Sequence, residues 1–251
     1  MAQNVFSCVI LQSVMKHALI ILFSFLSLGV LAQKYNGFRL SANMGVSTPV
    51  KPFNSTVEDD FMKGHASSGI DVGFQGEVFL SKKWSTLLRF GYNLFEVNDE
   101  AIKRDAYPAN PDNVELSHTP YQNLYVSGGA SFNQPLIKNK FDVQPYVMAG
   151  INLFKNAEKD YVVQNNAGEV VERFNSKAVV DPGLFLNPGV SFNYAVLSFL
   201  ELRFYTEFSG SDHLIDLDIS SMKNNSTVTE TREVEYNLRS VNTGAALSLR
   251  F

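Results

Sequence analysis

The sequence predicts an all-β fold, an eight-stranded antiparallel up-and-down transmembrane β-barrel. Apolar and polar residues alternate with a period of two through eight segments between residues 37 and 251, which is typical of strands with two different faces. The links between these segments are alternately short and long, and each segment is long enough to cross a tilted path through a bilayer. One face consists largely of glycine, serine, asparagine and charged residues, which fill no soluble core.

The predicted strands cover residues 37–47, 68–80, 84–97, 121–133, 141–153, 183–194, 199–209 and 241–251. Every second residue of each strand falls on an apolar face. In chain order these apolar faces hold Phe38, Leu40, Ala42, Met44, Val46; Ile70, Val72, Phe74, Val78, Leu80; Trp84, Thr86, Leu88, Phe90, Tyr92, Leu94; Leu124, Val126, Ala130, Phe132; Phe141, Val143, Val147, Ala149, Ile151, Leu153; Leu184, Leu186, Val190, Phe192, Tyr194; Leu200, Leu202, Phe204, Thr206, Phe208; and Val241, Thr243, Ala245, Leu247, Leu249, Phe251.

Two prolines interrupt this pattern. Pro145 and Pro188 fall inside the fifth and sixth strands, where each removes a ladder hydrogen bond. We therefore expect a bulge or a local opening between these two strands. A soluble sandwich or lipocalin-like barrel is the structural alternative, with the apolar faces turned inward.

The polar faces carry charges of both signs. Isolated charges in a narrow interior are costly, so we expect these residues to pair with one another and close the lumen. A narrow ion-conducting pore with the same lining is the alternative. The inward charges are Arg39, Asp71, Glu77, Arg89, Asp142, Glu201, Arg203, Glu207 and Arg250.

The N-terminus predicts export. Residues 18–32 form an uncharged apolar run that follows Lys16, and the small residue Ala32 precedes Gln33, so a signal peptide over 1–32 with cleavage between Ala32 and Gln33 leaves a barrel over 33–251. Met15 is an alternative start. The single cysteine precedes the cleavage site, which excludes disulfides and thiol chemistry from the mature chain.

Composition excludes further classes. A mean hydropathy of -0.05 is too low for a bundle of membrane helices, and a net charge of -4 without a basic cluster argues against nucleic-acid binding. The acid-rich stretches 58–60 and 212–218 lack the spacing of a calcium loop, so no metal or cofactor is predicted.

The last strand, NTGAALSLRF, ends in an aromatic residue. With the signal peptide and the eight alternating strands, it resembles the small outer-membrane barrels of Bacteroidota-type bacteria (PorT-like), in architecture similar to OmpX and the OmpA barrel. The resemblance implies a Gram-negative outer membrane, periplasmic termini, extracellular long loops, and contacts with outer-membrane lipids and the assembly machinery. The residues that would carry the assembly signal are Ala245, Leu247, Leu249 and Phe251.

The long loops leave two other functions open. His65, His118 and His213 lie in predicted loops, with Asp212 beside His213, but a triad is recognised by geometry and not by sequence neighbours. No enzyme is predicted, and a lipid-modifying enzyme remains an alternative. The segment 161–174 predicts a hairpin above the membrane, and 214–219 and 227–234 predict outward extensions of the last two strands. Exposed strand edges there predict an extracellular protein partner.

Overall fold

A computed structural model describes residues 37–54, 64–137, 140–223 and 226–251. The predicted signal peptide and the bond between Ala32 and Gln33 lie outside these residues. Within the described ranges no helix is both long and apolar enough to cross a membrane.

The described chain is an antiparallel sheet of twelve strands with one short α-helix and one 3₁₀ turn. The strands are β1 (Phe38–Pro49), β2 (Ala66–Phe79), β3 (Trp84–Val97), β4 (Val114–His118), β5 (Tyr121–Phe132), β6 (Gln134–Ile137), β7 (Phe141–Lys155), β8 (Lys159–Gln164), β9 (Val170–Ser176), β10 (Val180–Ala195), β11 (Leu200–Lys223) and β12 (Ser226–Arg250). The helix α1 is Asp99–Ala106, and the 3₁₀ turn is Pro111–Asn113.

The strand pairings return to their starting point. The order β10-β7-β5-β3-β2-β1-β12-β11 is joined end to end, because β10 also pairs with β11. The sheet continues from β11 through β9 and β8 to β4, and β6 pairs with β7. All these pairings are antiparallel, as the alternating links predict.

The predicted strands are present, but two of them are longer than predicted. β11 and β12 stay paired from Leu200↔Leu249 to Lys223↔Ser226, which confirms that both strands extend through 214–219 and 227–234. β8 and β9 pair with each other, which confirms the hairpin. The alternation along the sequence did not predict β4, β6 or α1. Asn98 caps α1 because its side chain accepts a hydrogen bond from the Ala101 amide, and Asp99 and Glu100 occupy the favourable first turn.

The expected opening between the fifth and sixth predicted strands is wrong. β7 and β10 pair without a shift from Lys155↔Val180 to Phe141↔Tyr194, with Pro145 opposite Val190 and Pro188 opposite Val147. The interruption lies on the other side of β10, where the ladder with β11 skips Asn187 and Pro188. Pro188 has no amide hydrogen to donate. The main-chain hydrogen bond that is absent is therefore one that β10 would have made with β11.

Two buried regions lie one above the other inside the ring. The inner network consists of polar and charged side chains near the end of the short links, and its buried members include Arg39, Asp71, Glu77, Arg89, Gln144, Glu201, Arg203 and Glu207. The outer core is apolar and fills the end of the long links; its members include Phe53, Phe95, Ile102, Tyr121, Phe154, Tyr161, Val163, Phe174, Ile215, Leu217, Val234 and Tyr236.

Candidate functional site

The structure buries most of the predicted inward charges and brings them together. Asp142 is half-buried and Arg250 is exposed, and both line a cavity of about 710 Å³ at the short-link end together with Lys82 and Lys140. The remaining seven are buried: Arg39, Asp71, Glu77, Arg89, Glu201, Arg203 and Glu207.

Arg89 is the centre of one ion cluster. Its guanidinium donates to Asp71 at 2.8 Å and to Glu207 at 2.5 Å. Three tyrosines satisfy further carboxylate lone pairs: Tyr205 and Tyr125 donate to Asp71 at 2.6 and 3.2 Å, and Tyr146 donates to Glu207 at 2.6 Å. Two buried carboxylates therefore share one cation and three phenol groups, an arrangement that offsets the cost of their desolvation.

Small residues make room for these phenols. A Cβ added at Gly91 would overlap the ring of Tyr125, and one added at Gly45 would lie 2.8 Å from the hydroxyl of Tyr205. On the inner face a glycine therefore lies against each of these two rings. The narrow interior is closely packed in this way, although few aliphatic side chains point into it.

Arg39 is the centre of the second cluster. It lies 3.0 Å from Glu77 and 2.8 Å from Glu201. Gln144 connects this cluster to Arg203, which donates to its oxygen at 2.5 Å, while the Gln144 amide donates to Glu77 and to Ser131. The network thus spans the ring from β1 and β2 to β7 and β11.

A row of asparagines connects the inner network to the outer core. Asn93 donates to Asp71 at 2.9 Å, Asn123 donates to Asn93 at 3.2 Å, and Asn152 donates to Asn123 at 2.7 Å. These residues belong to β3, β5 and β7, which are neighbours in the ring. The row ends at His213 of β11, whose Nε2 lies 3.1 Å from the Asn152 amide.

His213 lies between a hydroxyl and a carboxylate. Its Nε2 is 2.9 Å from the Oγ of Ser211, and its Nδ1 is 3.0 Å from an oxygen of Asp181. Burial lowers the pKa of His213, whereas the hydrogen bond and charge of Asp181 act in the opposite direction. The lowered pKa favours a neutral imidazole at pH 7, with Nδ1–H donated to Asp181 and the Nε2 lone pair facing Ser211.

This trio bridges a break in the strand pairing. The ladder between β10 and β11 ends at Leu186↔Gly210, and β11 next acquires a partner on that side at Ile219, which pairs with Ser176 of β9. The side chains of His213 and Asp181 cross this unpaired seam. Gly183 makes the crossing possible, because a Cβ there would lie 2.5 Å from the imidazole.

The outside of the same wall carries a shallow groove of about 320 Å³. It follows the paired strands β7 and β10 next to the seam. Its lining is Ile151, Asn152, Leu153, Pro182, Gly183 and Leu184.

The other two histidines hold α1 against the strands. His65 Nε2 lies 2.6 Å from Asp105, and His118 Nε2 lies 2.7 Å from Asp99. Ser117 is paired opposite Asp160 in the β4–β8 ladder. These contacts join elements of the outer core.

Sequence neighbours pointed to the wrong acid for His213. Asp212 lies on the opposite face of β11, where it binds Arg239 at 2.6 Å. Asp181 and Ser211 were missed, and so was Asn152. The signal that identifies Ser211 is the alternation itself, because residues two apart in a strand share a face.

The residues of the predicted assembly signal lie at the end of β12. Ala245, Leu247 and Leu249 face outward, and the main chain of Phe251 exchanges hydrogen bonds of 2.8 and 3.1 Å with Phe38. The strand carrying the signal is therefore paired to β1 up to its last residue.

Three solved structures that align with most of this chain are bacterial outer-membrane or surface proteins. A major outer membrane protein from Thermus thermophilus shows 12% identity over 85% of this chain and 99% of that chain, with a TM-score of 0.49. Neisserial surface protein A shows 15% identity over 86% and 97%, with a TM-score of 0.40. Ail, the attachment invasion locus protein of Yersinia pestis, shows 11% identity over 86% and 99%, with a TM-score of 0.39.

No protein-family model matches the chain, and no curated protein matches its sequence. The resemblance to the PorT-like family therefore stays a prediction. At these identities and TM-scores, the structural likeness carries no conclusion about activity.

Proposed function

We propose that this chain is an integral protein of a bacterial outer membrane, with eight strands that cross the bilayer, a lumen closed by the inner network and an extracellular end closed by the outer core. The crossing strands are β1, β2, β3, β5, β7, β10, β11 and β12. Its role is structural and in surface interaction. A closed ring satisfies every main-chain group within lipid, which an open sheet does not.

The observation that carries this proposal is the inversion of the two faces. Leu184 is 81% exposed, Phe74 70% and Met44 68%, whereas Arg89 is 1% exposed and Asp71 is fully buried. A protein surrounded by water buries its large apolar side chains and exposes its charges. The opposite arrangement is the one that a hydrocarbon solvent favours.

The outward faces also mark where the bilayer ends. On β11 three of the outward residues beyond Gly210 are acidic (Asp212, Asp216 and Asp218), whereas none is charged between Leu202 and Phe208, and on β12 the outward residues change from Val241 to Arg239. Gly210 is paired with Arg239, so both strands change character at one level. Below this level β11 and β12 each have about ten residues, which matches the length of a transmembrane strand.

Heat-modifiability tests the membrane barrel. The protein is extracted from an outer-membrane fraction, and its gel migration in mild detergent is compared with and without boiling. A boiling-dependent shift is expected, because a closed barrel resists the detergent until it is heated. Recovery in the soluble periplasm without any shift would contradict the proposal and favour a ligand-binding soluble barrel.

A closed lumen predicts no conductance. The buried ion pairs of Arg89 and Arg39 occupy the cross-section of the ring, and the outer core lies above them. Purified protein in planar bilayers is expected to give no stable single-channel current. A stable current that Arg89→Ala abolishes would establish the alternative, a narrow pore.

A surface-interaction role is supported by a strand edge that has no second ladder partner among the described residues. The β1–β12 ladder ends at Pro49↔Ser240, the Val50 amide donates to the Arg239 carbonyl just beyond it, and from 226 to 235 the described part of the chain gives β12 a ladder with β11 only. The hairpin β8–β9, in contrast, pairs with β4 and β11 on its two sides. The edge of β12 therefore offers a place for an extended segment of a partner protein.

Charge indicates the chemistry of that partner. Glu230, Glu233 and Glu235 are exposed along this edge. We expect an extended basic peptide to bind, with affinity reduced by Glu230→Lys with Glu233→Lys and unchanged by the matched pair Glu169→Lys with Glu158→Lys elsewhere in the long-link end. Equal binding by all three proteins would contradict this role.

Assembly is the remaining proposed interaction. The exposed apolar row of β12 ends at Phe251, which fits recognition of the last strand by the outer-membrane assembly machinery. Deletion of Phe251 is expected to lower the amount of heat-modifiable protein in the outer membrane, whereas deletion effects confined to extracellular binding would argue against it.

A further inference from the structure

We propose that Ser211, His213 and Asp181 form a hydrolytic site for an acyl ester of an outer-leaflet lipid. Ser211 is the nucleophile, His213 is the general base, and Asp181 is a positioning residue for the imidazole. The amide of Asn152 is a positioning group for the Ser211 hydroxyl.

The distances fit a serine hydrolase. The two hydrogen bonds of the imidazole, 2.9 Å to Ser211 and 3.0 Å to Asp181, lie on its two different nitrogens. A base must reach the hydroxyl within about 2.6–3.2 Å, and a third group must fix the imidazole from its far side. The Asn152 amide donates to the Ser211 oxygen at 2.9 Å, which orients the hydroxyl so that its own hydrogen faces the imidazole.

The packing fixes this geometry. The imidazole centroid lies 4.9 Å from that of the Phe154 ring, with the two planes tilted by 33°, and the imidazole fits over Gly183. Ser211 and His213 are two residues apart on one strand, so their side chains share a face, and Asp181 reaches them from the next strand. Such support from rigid strands is what a preorganised site requires.

The reaction conserves atoms and charge in two steps. The Ser211 oxygen attacks the ester carbonyl and its proton passes to His213 Nε2, which returns it to the leaving alkoxide as the ester C–O bond breaks. Water then attacks the acyl-serine, gives a proton to Nε2, and releases the carboxylic acid while the proton returns to Ser211. Hydrolysis needs only water as a co-reactant.

The position in the wall identifies the substrate class. The site lies at the level where the outward face of β11 changes from Phe208 to Asp212, which is the boundary between hydrocarbon and polar headgroups. Ester bonds of membrane lipids lie at this depth. In the proposed reaction the lipid carbonyl enters through the unpaired seam between β10 and β11, which must widen because Ser211 is only 4% exposed, while the acyl chain stays against Leu184 and Ile151 on the outer wall.

Ser209 provides the matched control. It is a buried serine on the same face of β11, two residues before Ser211 and therefore closer to the inner network. Its hydroxyl accepts hydrogen bonds from Asn187 and Asn242, whereas the hydroxyl of Ser211 meets the imidazole. Any effect of burial, folding or general polarity acts on both serines.

The test uses the full chain refolded in detergent, with folding scored by the boiling-dependent gel shift. A long-chain alkyl fluorophosphonate labels the protein, and the modified peptide is identified by mass spectrometry. Release of fatty acid from phosphatidylethanolamine vesicles is measured in parallel. We expect Ser211 to be labelled, and labelling and hydrolysis to fall at least about 100-fold in Ser211→Ala and in His213→Asn but to persist in Ser209→Ala.

Two results would overturn the site. One is heat-modifiable wild-type protein that shows no label on Ser211, and the other is hydrolysis that Ser211→Ala leaves unchanged. The labelling of wild-type protein needs no variant to fold. The gel shift tests the membrane barrel separately from the hydrolytic site. Absence of labelling and hydrolysis in protein that shows the shift contradicts only the hydrolytic site, whereas absence of the shift contradicts the membrane barrel.

Discussion

The inner network and the outer core are both buried, yet they are built from opposite side chains. Below the asparagine row, Arg89 binds Asp71 and Glu207. Above it, the ring centroid of Phe154 lies 6.1 Å from that of Phe53 and 5.5 Å from that of Tyr236. In the proposed membrane position, lipid encloses the lower region, which therefore needs few apolar atoms within, whereas the upper region faces water and requires its own apolar core.

Arg89→Ala is expected to have the largest effect, because it leaves two carboxylates buried without their cation. Removal of one partner of a buried ion pair costs about 3–5 kcal/mol. The measurement is urea unfolding in detergent, followed by the fluorescence of the single tryptophan, Trp84. Arg250→Ala is the control: this exposed arginine meets Glu201 at 3.4 Å at the rim, and its loss should change stability by less than about 1 kcal/mol. Equal effects of both variants would contradict a central role for Arg89.

Phe154→Ala is expected to weaken the outer core and to leave the ring of eight paired strands folded. The phenyl ring is fully buried among Phe53, Tyr121 and Tyr236, and such truncations cost about 3–5 kcal/mol where they act. Hydrogen exchange should therefore increase in β8 and β9 while the boiling-dependent shift persists.

Leu214→Ala is the control for this variant, since Leu214 is exposed on the opposite face of the same region. Its exchange pattern should match the wild type. Loss of the gel shift in Phe154→Ala would show that the two regions unfold as one unit.

Gly91→Ala is expected to have a smaller effect, confined to the inner network. The added methyl group overlaps the ring of Tyr125, which displaces this phenol from Asp71. Overpacking of this kind costs about 1–3 kcal/mol. Gly76→Ala on β2 is the matched control, because its methyl group would lie 3.7 Å from Phe38, an ordinary contact. Urea unfolding of the two variants compares them, and equal stability would contradict close packing at Gly91.

The sequence predicts the ring better than the outer core for a physical reason. Alternation along a crossing strand is imposed locally by two solvents, so Leu40 or Leu247 can be assigned to a face without knowledge of any partner. In the outer core, Val114, Tyr161 and Ile215 are buried by segments distant in the chain. No local pattern shows that these long links fold together.

The same reasoning explains the outcome at His213. Asp212 is next to His213 in the sequence, but residues adjacent in a strand point to opposite faces, so the two side chains cannot meet. Extension of the alternation past residue 209 places Ser211 beside His213. Asp181 could not be identified in this way, because its position depends on the register and separation of β10 and β11.

His213 lies at the junction of the two regions, and its titration tests how closed that junction is. Burial keeps the imidazole neutral and lowers its pKa below the ordinary value of 6.5, with Asp181 and Asp212 acting to raise it and Arg239 to lower it. The unfolded chain therefore takes up a proton first as the pH falls. The folded state loses stability as the pH falls below 6.5, and the loss is complete once the pH has passed the lower, folded pKa.

Site-resolved NMR of the imidazole between about pH 8 and 4 measures this pKa in the folded protein. The midpoint should lie below 6.5, and Asp181→Asn should move it further down, because the carboxylate that favours the imidazolium is gone. A wild-type midpoint at or above 6.5 that Asp181→Asn does not lower would mean that water reaches the junction, so that the outer core does not seal the inner network. A midpoint above 6.5 that Asp181→Asn brings below 6.5 would mean that Asp181 outweighs burial.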